Sequence, residues 1–320
     1  MRSAAAATLA CLLALSAAAE PPGKGPYAQA NAALQAGEAD KALSLLSSMP
    51  ATAETHNLRC RVLLTLEHWD AAANECEQAV RMDGRNSNYH LWLGRALGER
   101  ADRASFMSAY GLGKRVRQEF ETAVQLDGRN ADALADLGEF YNSAPGIVGG
   151  GADKAANVAA QLDHVDAARA HQLRGWTAES QKDYGSAEKE LREAASVDPH
   201  PAFAWMSVAS FYRRRQRWSD LDTALQNGIK AAQRDRQAGV ALYNGSSVLT
   251  KASRNLPLAA KMLEDYLASS SKSEEAPAFA AYARLAKVKA QLGDRAGAEQ
   301  AREAALALAH DYKPALDLKF

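Results

Sequence analysis

Few residues in this chain have the types and spacing that chemistry requires. His164 and His171 lie seven apart with Asp163 and Asp166 beside the first, so two turns of one unbroken helix would present metal ligands on one face. Ala167-Ala168 reads as an inter-helix turn that breaks this register, and no third well-spaced ligand accompanies the pair. The histidines, at positions 56, 68, 90, 164, 171, 200 and 310, are therefore expected at the surface, with no metal site. Gly146 and Gly151 have the spacing of a phosphate-binding loop. Ala152-Asp153 replaces the required Lys and Ser/Thr, however, and a helix rather than a strand precedes the turn. Glycines there are expected to serve positive φ and close backbone approach, with small-anion binding at the following helix as the competing use. No HExxH, GxSxG, CxxC or paired-carboxylate motif nominates a nucleophile or general base, so the chain reads as non-enzymatic and without a cofactor.

Two further groups carry reactivity or charge. Cys60 and Cys76 fall on two antiparallel helices of one unit, where a disulfide needs Cα atoms within about 7 Å. A helix pair does not guarantee that separation, so two small buried side chains are the favoured reading over a bridge. Arg213-Arg214-Arg215-Gln216-Arg217 ends a helix, where each cation offsets the macrodipole by roughly 0.3–1 kcal/mol. No aromatic residues interleave to stack bases, which excludes nucleic acid and favours an acidic peptide partner.

The elements that must position these residues follow from composition and spacing. The 320 residues are 47% hydrophobic but only 7% aromatic, with much alanine, which suits closely packed helices. Residues 1–19 have one cation, Arg2, then an apolar run through Leu9, Leu12, Leu13 and Leu15 to Ala17-Ala18-Ala19. That is the layout of a signal peptide cleaved near Ala19, and its core falls short of the ~20 residues of a spanning anchor. The mature chain is expected in an exported compartment, periplasmic or secreted. No other stretch reads as membrane-spanning. Removing Arg2 from a balance of 38 basic and 38 acidic residues leaves a net charge of −1, which gives no global attraction for nucleic acid or an anionic membrane.

A fixed spacing then recurs: small residue, twelve on, small residue, seven on, small residue, five on, Pro or Gly. It runs through Gly175, Ala187, Ala194 and Pro199, and again through Cys60, Ala72, Ala79 and Gly84. A period near 34 residues with two helical half-units marks a stacked-helix array in which no unit buries its own apolar face. Asp198-Pro199 stops the second helix of one unit, since proline cannot continue it.

These residues resemble the tetratricopeptide repeat (TPR). His90, Leu93-Gly94 and Leu97 open a third unit that Phe120 and Ala123 close; Leu134, Leu137-Gly138 and Tyr141 open a fourth. About eight units start near Gly23, Ala53, Ser87, Ala131, Ala168, Ala202, Val240 and Phe279, with Met49 and Tyr266 standing where small residues are usual. The resemblance implies an all-α, right-handed superhelical solenoid of antiparallel helix pairs over residues 20–310, capped by residues 311–320. Two units carry insertions, near residues 100–111 and 143–151, expected as neighbouring loops: Phe106 and Tyr110 in the first, Pro145, Gly149, Gly150 and Gly151 in the second. The Ala144-Pro145 turn with its Gly-Gly-Gly and Lys154-Ala155 is similar to one in exported bacterial TPR proteins of mostly unassigned role. It is more distantly similar to one in a periplasmic component of some substrate-binding-protein-dependent transporters.

In this architecture the first helix of each pair lines a concave groove. The expected groove residues are Asn57, Arg61, Leu91, Arg95, Asp132, Glu139, Arg169, Gln172, Trp176, Phe203, Met206, Ser210, Arg213, Asn244, Val248 and Lys251. Trp176, Phe203 and Met206 form an apolar centre flanked by Arg95, Arg169 and Arg213, the composition of protein interfaces. Trp176 and Phe203 equally suit packing between units. The Lys-plus-Asn carboxylate clamp of chaperone-binding TPR proteins is not reproduced: Tyr27 precedes Asn31 where a lysine should stand, and Asn244 replaces one. The functional expectation is an exported, non-enzymatic scaffold or adaptor that binds a protein or peptide segment, with a role in envelope assembly. The alternative is a transporter-associated module holding a small ligand near the two insertions.

Overall fold

The computed structural model describes residues 25–235 and 238–320; the signal-peptide reading of residues 1–19 lies outside them. Among the described residues the chain is all-α, as the spacing predicts. It forms eight antiparallel pairs: α1 (Pro26–Ala36) with α2 (Ala39–Ser47), α3 (Ala53–Thr65) with α4 (Trp69–Met82), α5 (Ser87–Ala101) with α6 (Phe106–Leu126), and α7 (Ala131–Ser143) with α8 (Ala152–Leu162). There follow α9 (Ala167–Ser180) with α10 (Tyr184–Val197), α11 (Ala202–Arg214) with α12 (Trp218–Arg234), α13 (Gly239–Ala252) with α14 (Leu256–Ala268), α15 (Ala278–Gln291) with α16 (Arg295–Leu308), and a short α17 (Lys313–Leu316).

Local chemistry sets the boundaries and repeats with the units. First helices start on polar caps: Asn86, Asn130 and Asp166 accept from Asn88, Ala133 and Arg169 backbone N–H groups. Between units, Asp83, Asp127 and Asp198 each accept from the backbone N–H two residues on, so the carboxylate closes the turn that the helix has just left. Within units, one left-handed residue turns the chain: Gly37, Glu67, Lys182, Gln216 and Gly293 all have positive φ at this place. At the closest helix crossings only a small residue fits. A Cβ on Gly175 would lie 2.7 Å from Leu191 Cγ, and Ala187 is fully buried beside it.

Three observations correct the sequence reading. Cys60 and Cys76 are bridged, with Cα atoms 5.3 Å apart, because α3 and α4 bring two small, fully buried positions face to face. The first insertion is no loop: α5 and α6 both lengthen, so Phe106 and Tyr110 lie in the opening turns of a 21-residue helix, and Phe106 is three-quarters exposed. The second does form a turn, a short 3₁₀ segment at Gly146–Val148. Its buried Val148 packs on the α6 surface at Gly113, while Lys154 Nζ donates to the Gly149 carbonyl. The second insertion therefore packs on the helix that carries the first, through Val148 against Gly113.

The array also closes on itself. The segment between α14 and α15, residues 269–277, reaches back to the first two units, where Glu274 is clamped by Arg61 (Nε to Oε2 2.9 Å, Nη2 to Oε1 2.6 Å). Gln35 Nε2 donates to the same carboxylate at 2.8 Å, and Gln35 Oε1 accepts from the Glu274 backbone N–H at 3.2 Å. Asp40 accepts from both the backbone N–H and Nδ1 of His310, and Phe279 and Tyr312 join the buried core of α1 to α3. Gly37, at φ 73°, sits so tightly on this seam that a Cβ would lie 2.1 Å from the Ala278 nitrogen.

Glu274→Ala leaves Arg61 an uncompensated, largely buried cation, a loss of about 3 kcal/mol. We expect lower stability in denaturant titration and a larger radius of gyration by X-ray scattering. The double variant Arg61→Met, Glu274→Met should recover part of the stability, since it removes both charges.

Candidate functional site: the enclosed concave face

Closure sets the 269–277 segment across a concave face that stays open to solvent. Helices α3, α5, α7, α9, α11 and α13 supply one wall, and the 269–277 segment supplies the opposite one. Two cavities result, of 630 and 510 Å³, which share Arg95, Asp136, Glu139 and Glu275. The first is also lined by Arg61, Trp92, Tyr243 and Glu274, the second by Asp132, Arg169, Trp176 and Phe203.

The predicted groove residues divide into three groups. Glu139, Trp176 and Phe203 do line the interior, and Arg213, Asn244, Ser210 and Lys251 line a separate narrow groove of 210 Å³ between α11 and α13. Others are buried: Asn57 and Leu91 pack in the core, while Met206, 2% exposed over Gly228 and Gly245, and Val248 form the apolar floor of the α11–α13 groove. Gln172 lines the second cavity but is nearly buried, its Nε2 donating to Ser207 Oγ at 2.7 Å and tying the fifth unit to the sixth. The third group is corrected in charge. Arg61 is held by Glu274, Arg95 by Asp136 at 2.5 Å, and Arg169 by Asp132 at 2.5 Å and Asp166 at 3.3 Å. Arg61 and Arg95 also flank Trp92, 5.2 and 4.5 Å from its ring centre. These guanidiniums are neutralised, so the enclosed interior does not offer the positive face that an acidic peptide needs.

Carboxylates are in excess there. The side chains of Glu139 and Glu275 make no hydrogen bond or ion pair among the described residues. Confinement by surrounding protein raises the Glu139 pKa above the ordinary carboxylate range; Asp136 raises it further and Arg95 opposes. Glu275 is raised in the same way, first by confinement, with Arg95 and Arg169 opposing Asp132 and Glu274. Both side chains still meet water in the cavity, so they remain available to a ligand.

Sequence reasoning missed two features. The segment carrying Glu274 and Glu275 was readable as a Ser-rich interruption, Ser269-Ser270-Ser271-Lys272-Ser273, longer than the other inter-unit turns. The histidines are not scattered: His56 pairs with Glu75 at 2.6 Å and His171 with Glu190 at 2.7 Å, each 19 residues on from first helix to second. His90 pairs with Glu119 at 2.6 Å, 29 residues on, the same rung displaced by the helical insertion. That hydrogen bond is the main reason the His90 pKa is raised. His164 falls in the turn after α8, so it cannot share a helix face with His171.

Eight stacked helix pairs around a concave face, with small residues such as Gly94, Gly138 and Gly175 at close helix contacts, give the fold of a tetratricopeptide-repeat-like array. No family model and no curated protein sequence matches the chain. Among solved structures it is similar to TTC0263, a thermophilic TPR protein of Thermus thermophilus, at 18% identity and a TM-score of 0.50 over 58% of this chain and 96% of that one. It is also similar to MamA (17% identity, TM-score 0.36, 54% of this chain and 93% of that). A third similar structure is the APC/C Cut9-Hcn1 hetero-tetramer (11% identity, TM-score 0.40, 87% of this chain and 57% of that chain). The likeness to TTC0263 is one of fold.

A carboxylate whose folded-state pKa exceeds its unfolded value holds its proton more tightly in the native state, so stability falls as pH rises through that window and stays lower above it. The double variant Glu139→Gln, Glu275→Gln should therefore melt higher than the parent at neutral pH, by about 1–3 °C. The difference should shrink towards pH 4, as read by calorimetry across a pH series.

Proposed function

We propose that this chain is an exported, non-enzymatic helical-repeat scaffold that receives a segment of a partner protein along its enclosed concave face. The observation that carries the reading is the pair Glu139 and Glu275: two unpaired carboxylates facing a walled cavity beside Trp176 and Phe203. An ammonium or guanidinium entering there gives Glu139 and Glu275 the ion-pair partner that Arg95 and Arg169, already bound to other carboxylates, do not supply. The segment that fills the cavity therefore presents a Lys or Arg side chain, with the aromatic wall taking its apolar stem. Export is supported by the Cys60–Cys76 bridge, since disulfides persist in oxidising compartments, and it agrees with the N-terminal reading. A role in envelope assembly is the finer form of the same proposal.

The test is photo-cross-linking in the native host from an unnatural residue at position 176, followed by identification of the captured chains. Cross-links that map to a basic segment of a co-exported protein, and that disappear with Glu139→Gln, Glu275→Gln, are the expected result. An unchanged cross-linking pattern in that variant would sink the reading. Protein recovered from the exported fraction should contain no free thiol before reduction, measured by alkylation and mass spectrometry.

A further inference from the structure

Beyond the shared Phe203, the concave face changes sign. Ser207, Ser210 and Arg213 on α11 and Asn244, Ser247 and Lys251 on α13 recur at helical spacing, so they form two adjacent polar stripes that line the groove between the sixth and seventh units. No carboxylate lines this groove, in contrast to the two enclosed cavities. Arg213 Nε is buried and donates to nothing, and neither Arg213 nor Lys251 has an ion-pair partner among the described residues. The other arginines facing the concave side, Arg61, Arg95 and Arg169, are all paired. Unlike the neighbouring Arg214, which is bound to Glu179 and Ser210, Arg213 has had no partner provided by the fold.

We propose that this groove is a carboxylate-binding subsite for an acidic stretch of the partner segment. Arg213 and Lys251 supply the positive charge, Asn244 Nδ2 and the Ser247 hydroxyl donate further hydrogen bonds, and the exposed half of Phe203 divides this subsite from the carboxylate-lined cavity. The partner segment is then read by charge order: a cationic side chain at Glu139 and Glu275, an acidic one at Arg213 and Lys251. Opposite charges in a set order fix the register and direction of an extended chain, which apolar contact alone does not. The inference rests on the reading of the concave face as a peptide site.

Two amidated synthetic peptides, one carrying a Lys followed by a Glu-rich stretch and one with Gln at every Glu, are titrated into the ¹⁵N-labelled mature chain and followed by NMR. We expect the Glu peptide to shift the amides of Ser207, Ser210, Asn244 and Ser247 and to bind about ten-fold more tightly than the Gln peptide, the gain of one charge-assisted hydrogen bond. Arg213→Gln and Lys251→Met should each cost about ten-fold for the Glu peptide and nothing for the Gln peptide. Equal binding of both peptides to the parent chain overturns the carboxylate subsite while the peptide reading stands. Failure of both peptides to bind overturns the two together. Shifts reproduced by inorganic phosphate alone at the same concentration would make the groove an ion site and overturn the peptide assignment.

Discussion

The Arg61–Glu274 clamp is the contact on which the rest of the architecture turns. A helical-repeat array is ordinarily one-dimensional, each unit touching only its neighbours, and its concave face is open along its length. Here a carboxylate from the segment before α15 meets a guanidinium on α3, with Gln35 closing the remaining hydrogen bonds. The bond joins residues 213 apart in sequence and gives the open groove a second wall. Its geometry depends on features of no use to a lone repeat: the positive φ at Gly37, the absence of a side chain there, and the Ser-rich length of chain between α14 and α15. Without closure Glu275 would have no wall opposite it, and the carboxylate excess would be diluted in solvent.

Charge is then distributed by zone rather than by balance. The chain is close to neutral overall, but neutrality hides a segregation: the enclosed cavities hold paired arginines and surplus carboxylates, and the α11–α13 groove holds cations without acids. Pairing decides which charges are structural. Arg95 is engaged twice, by Asp136 and by the face of Trp92, and its contribution is to hold the α5 and α7 walls together rather than to meet a ligand. Arg213 resembles it in sequence position and differs in having no such duties.

The fold was legible in the sequence because its determinants are local and repeated. Gly175, Ala187 and Ala194 report a helix crossing by their size, and Asn86, Asn130 and Asp166 report helix starts by their chemistry. The site was legible only in part, since it depends on long-range pairing. Glu139, Trp176 and Phe203 could be placed by helical register, but nothing near Arg61 or Arg95 in sequence shows that each is matched to a carboxylate about one unit or more away in the chain, and Arg169 adds the distant Asp132 to its neighbour Asp166. Met206 does border the α11–α13 groove, but its burial there was not readable, because the glycines at 228 and 245, on two other helices, make the room for it. The histidine rungs were hidden by the helical insertion, which displaces one of three pairs by ten residues and breaks the arithmetic that would have exposed them.

The unfavourable placement of Glu139 and Glu275 is itself informative. Glutamine would fill either position with the same shape and no charge penalty, and a sequence under pressure for stability alone has that substitution within easy reach. Both side chains reach the water of the cavity, so the cost of leaving them without an ion pair is modest, but the surrounding protein and the neighbouring carboxylates still raise their pKa values, and a cation placed between them would reverse that shift. Arg213, with a buried donor that nothing accepts from, places the opposite sign a short distance along the same face. On the proposed reading, one occupant carrying both charges would meet the two carboxylates and Arg213 together.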